Sequence, residues 1–218
     1  MQKPITSQGN PLENKDIYET LFAFMDDALY HYKPSITAKG EDDITQDLEI
    51  SLRERTRNTC FDFQNQHKEG NTKTDIGVFI KSNRYFFCWI EAKVLPTPNG
   101  GKNRDEREYV FVDKNIKNKN NKRQFDGNGG IQRFKESKHA PTLTHSIMIG
   151  YIQDENSTDY WLSKINAWIK ELANTENYFW SNKDSLVKNI SDKCDRFVST
   201  HIRKDAKAIE LHHYWIKC

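Results

Sequence analysis

Three ionisable residues stand inside two segments that otherwise consist of apolar, strand-forming residues. Asp75 lies in Thr-Asp-Ile-Gly-Val-Phe-Ile at 74–80, and Glu91 and Lys93 lie in Trp-Ile-Glu-Ala-Lys-Val at 89–94. A charged side chain inside an apolar strand is costly unless another charge or a metal ion compensates it. Two carboxylates beside a lysine are therefore predicted to hold a divalent cation. The alternative is an ion pair in which Lys93 alone neutralises the acids.

The spacing of these residues sets a condition on how the two segments pair. Glu91 and Lys93 are two residues apart, so their side chains share one face of a strand. The polar residues 81–84 between the segments indicate a β-hairpin. Asp75 reaches the same face only opposite Glu91, which requires a three-residue loop at 82–84 or an equivalent β-bulge. An unbulged two-residue turn would place Asp75 on the other face.

The composition is that of a polar globular protein. The 218 residues include 33 Lys and Arg against 31 Asp and Glu, a net charge of +2 that is too small to indicate nucleic-acid binding by itself. Hydrophobic residues make up 36% of the chain, and 12 Phe, 9 Tyr and 5 Trp can close a core. We expect a cytoplasmic protein with no membrane partner, because there is no signal peptide, no apolar span and no paired cysteine motif among Cys60, Cys88, Cys194 and Cys218.

Hydrophobic periodicity predicts an α/β protein with a mixed central β-sheet flanked by helices. Helices are expected at 14–32, 41–57, 130–138 and 159–172, and strands at 60–66, 74–81, 85–95, 109–113, 144–153 and 208–217. Residues 1–40 are expected to form an arm and a helix packed on the core, and 41–218 to form the single domain.

Four local features complete the predicted elements. Asp159 is expected to cap the fourth helix. The apolar stripe of that helix, from Trp161 to Leu172, is expected to pack in the core, with a base-stacking surface as the alternative. Residues 199–203 are expected to form a polar turn, with an auxiliary phosphate contact as the alternative. The last strand, 208–217, is expected at an edge of the sheet.

A basic segment follows the charged strands. Residues 114–123 contain no acid and five basic residues, which are Lys114, Lys117, Lys119, Lys122 and Arg123. Such a run is either a solvated loop or a surface that contacts nucleic-acid phosphates. Its place soon after Glu91 and Lys93 favours the phosphate-contacting surface.

The order Asp75, then Glu91-Ala92-Lys93, with an acidic helix before it and a glutamine-bearing helix after it, resembles the PD-(D/E)XK superfamily of nucleases. The resemblance covers roughly residues 41–153. The chain departs from the family's "PD" at Thr74, which does not touch the chemistry. The resemblance implies a restriction-endonuclease-like fold and Mg²⁺-dependent hydrolysis of phosphodiester bonds, with Mn²⁺ as a substitute ion.

The resemblance also implies a set of metal ligands. Asp75, Glu91, the Ala92 carbonyl and Glu41 would hold Mg²⁺, and Lys93 would position or activate the attacking water. Helical spacing puts Glu41 on the inward face of its helix, where a capping role is the alternative.

Two further residues would contact the substrate. Gln132 matches the glutamine that in the family follows the Glu-x-Lys motif and touches the scissile phosphate or orients the lysine. Arg133 could pair with a phosphate. A solvated helix end is the alternative for both.

The sequence leaves three functions open. The first is a DNA endonuclease of restriction, repair or anti-phage defence, whose specificity would come from residues 96–128, a homodimer or a partner subunit. The second is a catalytically silent module that binds nucleic acid or protein and uses the three charges as a buried polar cluster. The third is a nuclease that acts on RNA.

Overall fold

The computed structural model describes residues 15–35, 40–66, 68–69, 72–96, 106–112, 129–175, 179–189 and 193–218. The α-helices in these ranges are α1 (Lys15–Tyr30), α2 (Glu41–Arg55), α3 (Gly130–Lys135) and α4 (Thr158–Ala173). The strands are β1 (Phe61–Asn65), β2 (Lys68–Glu69), β3 (Thr72–Lys73), β4 (Ile76–Ile80), β5 (Phe86–Leu95), β6 (His145–Ile152), β7 (Val187–Asn189), β8 (Arg196–Ile202) and β9 (Ala208–Lys217).

Most of the predicted elements are present with shifted ends, but some local predictions are wrong. The short strand expected at 109–113 is absent from its described part, where 109–110 form a turn and 111–112 follow without regular structure. The cap of α4 is Ser157, whose hydroxyl accepts a hydrogen bond from the Tyr160 amide. Asp159 instead lies in the first turn of α4, where its charge suits the helix dipole.

Seven strands form one mixed sheet in the order β1-β4-β5-β6-β9-β8-β7. The pairs β5–β6 and β6–β9 are parallel and the other four neighbours are antiparallel. The predicted mixed sheet flanked by helices is therefore confirmed. β9 lies between β6 and β8, so the predicted edge position of residues 208–217 is wrong.

Helices cover both faces of this sheet. Ile90, Ala92 and Val94 of β5 pack in a cluster with the apolar residues of α1 and α2. Trp89 and Leu95 pack in a second cluster with α3 and α4, to which the predicted Trp161–Leu172 stripe also belongs. Because side chains alternate along a strand, Glu91 and Lys93 point to the face that carries α3.

The predicted polar turn at 199–203 is wrong, because residues 199–202 belong to strand β8, whose buried residues are Phe197, Ser199 and His201. The two polar ones belong to a series of buried, hydrogen-bonded side chains formed by Trp215, Tyr109, His213, Ser199, His201 and Asp184. The successive donor–acceptor distances lie between 2.7 and 3.1 Å. Buried polar groups are tolerated in a core when each has a partner.

The direction of each hydrogen bond in this series of side chains follows from its last acceptor, the Asp184 carboxylate. Burial opposes the ionisation of Asp184, but its bonds to His201 and Lys135 hold its pKa below the ordinary value. Burial lowers the pKa of His201 and His213, so both rings are neutral. His201 then donates through Nδ1 to Asp184 and accepts from Ser199, which in turn accepts from Nε2 of His213.

Replacing Ser199 with alanine is expected to cost about 2–4 kcal/mol of unfolding free energy, because it leaves one buried nitrogen on each histidine without a partner. Chemical denaturation measures this cost. Ser146→Ala is the matched control: Ser146 is equally buried, and its hydroxyl has no partner among the described residues. A Ser199→Ala variant no less stable than Ser146→Ala would contradict the hydrogen-bonded chain.

Candidate active site

The hairpin of β4 and β5 has the register that is needed to place Asp75 opposite Glu91. Ile76 pairs with Ile90, so Asp75, directly before β4, lies beside the segment that carries Glu91. The predicted three-residue loop is wrong, because Ile80 already pairs with Tyr85 and the connection is the four residues 81–84. A β-bulge in β5 then restores the register, as the predicted alternative to that loop requires.

The bulge lies at Phe87. Val78 pairs with Cys88 but Phe79 pairs with Phe86, so Phe87 is the extra residue. Without it, every side chain before the bulge would turn to the other face of the sheet.

Asp75 is fixed to β5 by its side chain. Its Oδ2 accepts a hydrogen bond of 2.8 Å from the Ala92 amide. Thr74 is buried, and its hydroxyl donates to the Ile90 carbonyl at 2.8 Å. This hydrogen bond is a second link between the start of β4 and β5.

Lys93 lies at the centre of the charged cluster and is only 6% exposed. Its Nζ is 2.8 Å from Glu41 Oε1, 3.2 Å from Glu91 Oε1 and 2.7 Å from the Ala92 carbonyl oxygen. The other oxygen of Glu41 accepts a hydrogen bond of 3.1 Å from the Val94 amide. Glu41 thus joins the cluster as predicted, but both of its oxygens hold β5 rather than project as ligands.

Arg133 of α3 and His139, which follows that helix, complete the surroundings of Glu91. Arg133 Nη1 lies 2.7 Å from Glu91 Oε1, and His139 Nδ1 lies 3.4 Å from Glu91 Oε2. His139 was not among the predicted site residues. Left-handed residues flank it at Ser137 and Ala140, in a turn after α3 that no motif indicates.

A close approach of the chain positions α3. A Cβ on Gly130 would lie 2.6 Å from Met148 Cε and 2.8 Å from the Tyr109 carbonyl oxygen. The helix can therefore begin against the backbone of Tyr109 only because this residue has no side chain. Arg133, three residues later in the same helix, contacts Glu91.

Gln132 forms no hydrogen bond with Lys93 among the described residues, and its predicted contact with the scissile phosphate stays a prediction. Its Oε1 accepts hydrogen bonds of 3.1 Å from the amides of Gly129 and Val112, and its Nε2 donates to Glu136. The side chain is buried and ties residues 111–112 to α3. That role depends on a segment twenty residues away in the chain, which helix periodicity cannot indicate.

Charge and burial shift the pKa values of Asp75, Glu91 and Lys93 in different directions. Burial and the neighbouring Glu91 raise the pKa of Asp75 to about 7. Burial also disfavours the charged form of Glu91, but Lys93 and Arg133 outweigh it and lower the pKa of Glu91. Burial would lower the pKa of Lys93, yet Glu91 and Glu41 raise it well above its ordinary value. Lys93 is therefore a permanent cation.

No protein family model, curated protein or solved structure matches this chain. The chemistry of the site must therefore be judged from its own geometry. A helix long and apolar enough to cross a bilayer is absent from the described residues.

The donor set fits Mg²⁺ in part. In the described ranges no group of three or more His, Cys, Asp or Glu side chains is arranged to hold a metal ion. Mg²⁺, however, keeps several waters and commonly binds through one or two carboxylates. Asp75 and Glu91 supply two, and Glu91 Oε2 is buried without a hydrogen-bond partner among the described residues. The Ala92 carbonyl, the third predicted ligand, accepts from Lys93 instead.

The predicted phosphate contacts divide into two groups. Lys114, Lys117, Lys119, Lys122 and Arg123 lie outside the described residues, so their role stays a prediction. Arg133 is described, and its guanidinium contacts Glu91.

Proposed function

We propose that this protein is a metal-dependent nuclease that hydrolyses phosphodiester bonds, with DNA as its substrate. The main support for the proposal is that Asp75, Glu91 and Lys93 lie close together, in a hairpin whose β-bulge sets the strand register that this requires. The resemblance to PD-(D/E)XK nucleases supports DNA and a role in restriction, repair or anti-phage defence.

In this function Asp75 and Glu91 would hold Mg²⁺ through their carboxylate oxygens. The bound ion would supply Lewis acidity and a water of lowered pKa. Lys93, held as a cation by Glu91 and Glu41, would stabilise the negative charge that develops on the phosphate rather than accept a proton. Arg133 presents five N–H donors, more than Glu91 can accept, so it can also bind a phosphate oxygen.

A second function is favoured by the three contacts of the Lys93 ammonium. Lys93 Nζ already neutralises Glu91 and Glu41 and occupies the Ala92 carbonyl. A silent binding module would use this arrangement as a buried polar cluster and would need no metal. The two functions differ in whether the protein binds a divalent cation.

We expect supercoiled plasmid DNA to be cut in Mg²⁺ or Mn²⁺ and to stay intact in EDTA. Asp75→Asn should lower the rate by about 100-fold or more, since a metal ligand contributes several kcal/mol to transition-state stabilisation. Single-stranded DNA and RNA in the same assay decide the substrate class.

Asp62→Asn is the matched control, because it removes one carboxylate charge on β1, where Asp62 pairs with the exposed Arg84. It should cut DNA at the wild-type rate. Equal cleavage by Asp75→Asn and wild type, or no cleavage of any substrate with either ion, would count against the nuclease.

A further inference from the structure

The two oxygens of Glu91 have different surroundings. Oε1 accepts a hydrogen bond of 2.7 Å from Arg133 and forms an ion pair of 3.2 Å with Lys93. Oε2 is buried and has no hydrogen-bond partner among the described residues. A carboxylate offers about four acceptor positions, two on each oxygen, so two cations already face Oε1 while both positions on Oε2 lack a partner in the described part of the chain.

His139 faces the open oxygen from a fixed position. Its ring stacks on Trp89 with centroids 4.6 Å apart and meets the edge of Phe134 at 5.5 Å. The residue is 4% exposed, so its ring is held by packing on two sides. Its Nδ1 is buried, lacks a hydrogen-bond partner in the described part of the chain, and lies 3.4 Å from Glu91 Oε2.

These two unpaired atoms can satisfy each other's hydrogen-bonding capacity. A buried polar atom without a partner costs free energy, and here a donor and an acceptor face each other across one short gap. A small rotation of the Glu91 carboxyl closes the gap to a hydrogen bond if Nδ1 carries the ring proton. The ring then has one neutral tautomer, with the proton on Nδ1.

We propose that His139 is a positioning residue whose Nδ1–H donates to Glu91 Oε2 and leaves one acceptor position of that oxygen for a divalent cation. Glu91 then binds the cation through Oε2, because two cations, Lys93 and Arg133, already contact Oε1 and repel a third. The cation part of this proposal rests on the proposed nuclease function. The hydrogen bond between His139 and Glu91 does not.

Two substitutions separate the role of His139 as a hydrogen-bond donor from the role of its ring in packing. His139→Phe keeps an aromatic ring between Trp89 and Phe134 but removes the donor, and His139→Asn keeps an amide N–H close to the position of Nδ1. Partners that orient a metal ligand typically change metal affinity by about 10- to 100-fold when removed. Titration with Mn²⁺ alone should show a loss of about 10-fold or more for His139→Phe and recovery of most of it in His139→Asn.

Nitrogen NMR of the metal-free wild type tests the hydrogen bond itself, with the His139→Asn spectrum assigning the ring among the seven histidines. We expect a neutral ring protonated on Nδ1. A ring protonated on Nε2 only, or wild-type Mn²⁺ affinity in a folded His139→Phe, would overturn the proposal. If wild type binds no Mn²⁺ while the ring carries its proton on Nδ1, the nuclease function fails and the positioning bond stands.

Discussion

Asp75→Asn is expected to stabilise the metal-free protein by about 2–4 kcal/mol at pH 8. The described cluster holds three acids, Glu41, Asp75 and Glu91, against two cations, Lys93 and Arg133. Asp75 is the acid without a cationic partner in this set, and burial beside Glu91 raises its pKa to about 7. Asparagine keeps an oxygen for the Ala92 amide and removes the excess charge.

The pH dependence of this effect has a defined sign. Because the pKa of Asp75 is raised in the folded protein, the folded state binds its proton more tightly than the unfolded chain does. Stability from this group is therefore present at low pH and is lost as the pH rises from about 4 to about 7. Denaturation in EDTA should show the gain of Asp75→Asn over wild type growing from pH 5 to pH 8.

The same control, Asp62→Asn, should show no comparable gain, because Asp62 is only half-buried and forms an ion pair with Arg84. Added Mg²⁺ should stabilise wild type and leave Asp75→Asn unchanged, because the variant lacks one of the two carboxylate ligands. A constant difference across pH, or a destabilised Asp75→Asn, would show that Asp75 is already compensated.

Lys93→Met is expected to destabilise the metal-free protein by about 3–5 kcal/mol and to abolish cleavage. Methionine fills a similar volume but leaves Glu91 and Glu41 without the ammonium that both contact. Breaking a buried ion pair on one side is costly because the remaining charge stays desolvated. Lys81→Met, at an exposed lysine of the same hairpin, is the matched control. Lys81 donates to the Thr56 carbonyl but forms no ion pair among the described residues, so its loss should cost far less than that of Lys93.

Metal rescue of Lys93→Met separates the two candidate functions. If Asp75 and Glu91 form a cation site, millimolar Mg²⁺ or Mn²⁺ should restore part of the lost stability, while cleavage stays absent. If the cluster is silent, the divalent ions should have no effect on the unfolding of this variant. Thermal unfolding with and without metal measures the difference.

The central charges could be predicted from sequence because strand alternation and hairpin register are local rules. Asp75, Glu91 and Lys93 were placed by a condition on their pairing, and the β-bulge at Phe87 meets it. Helix periodicity placed Glu41 on the inward side of α2, where it reaches Lys93.

The failures of prediction involve contacts between distant segments. Gln132 binds the amide of Val112, which a helix pattern does not reveal. His139 reaches Glu91 only through a left-handed turn. Ser199 and His201 resemble turn residues in the sequence. The partners that compensate their burial, His213 and Asp184, lie on other elements.

Calorimetric titration of the purified protein with Mg²⁺ and Mn²⁺ at pH 8 tests the central claim most directly. Cleavage can depend on a partner subunit or a particular DNA sequence, whereas cation binding needs only Asp75 and Glu91. We predict binding of either ion in the millimolar range or tighter by wild type, and loss of that binding in Asp75→Asn. A wild-type protein that binds neither ion in the millimolar range would contradict the metal site, and with it the proposed nuclease.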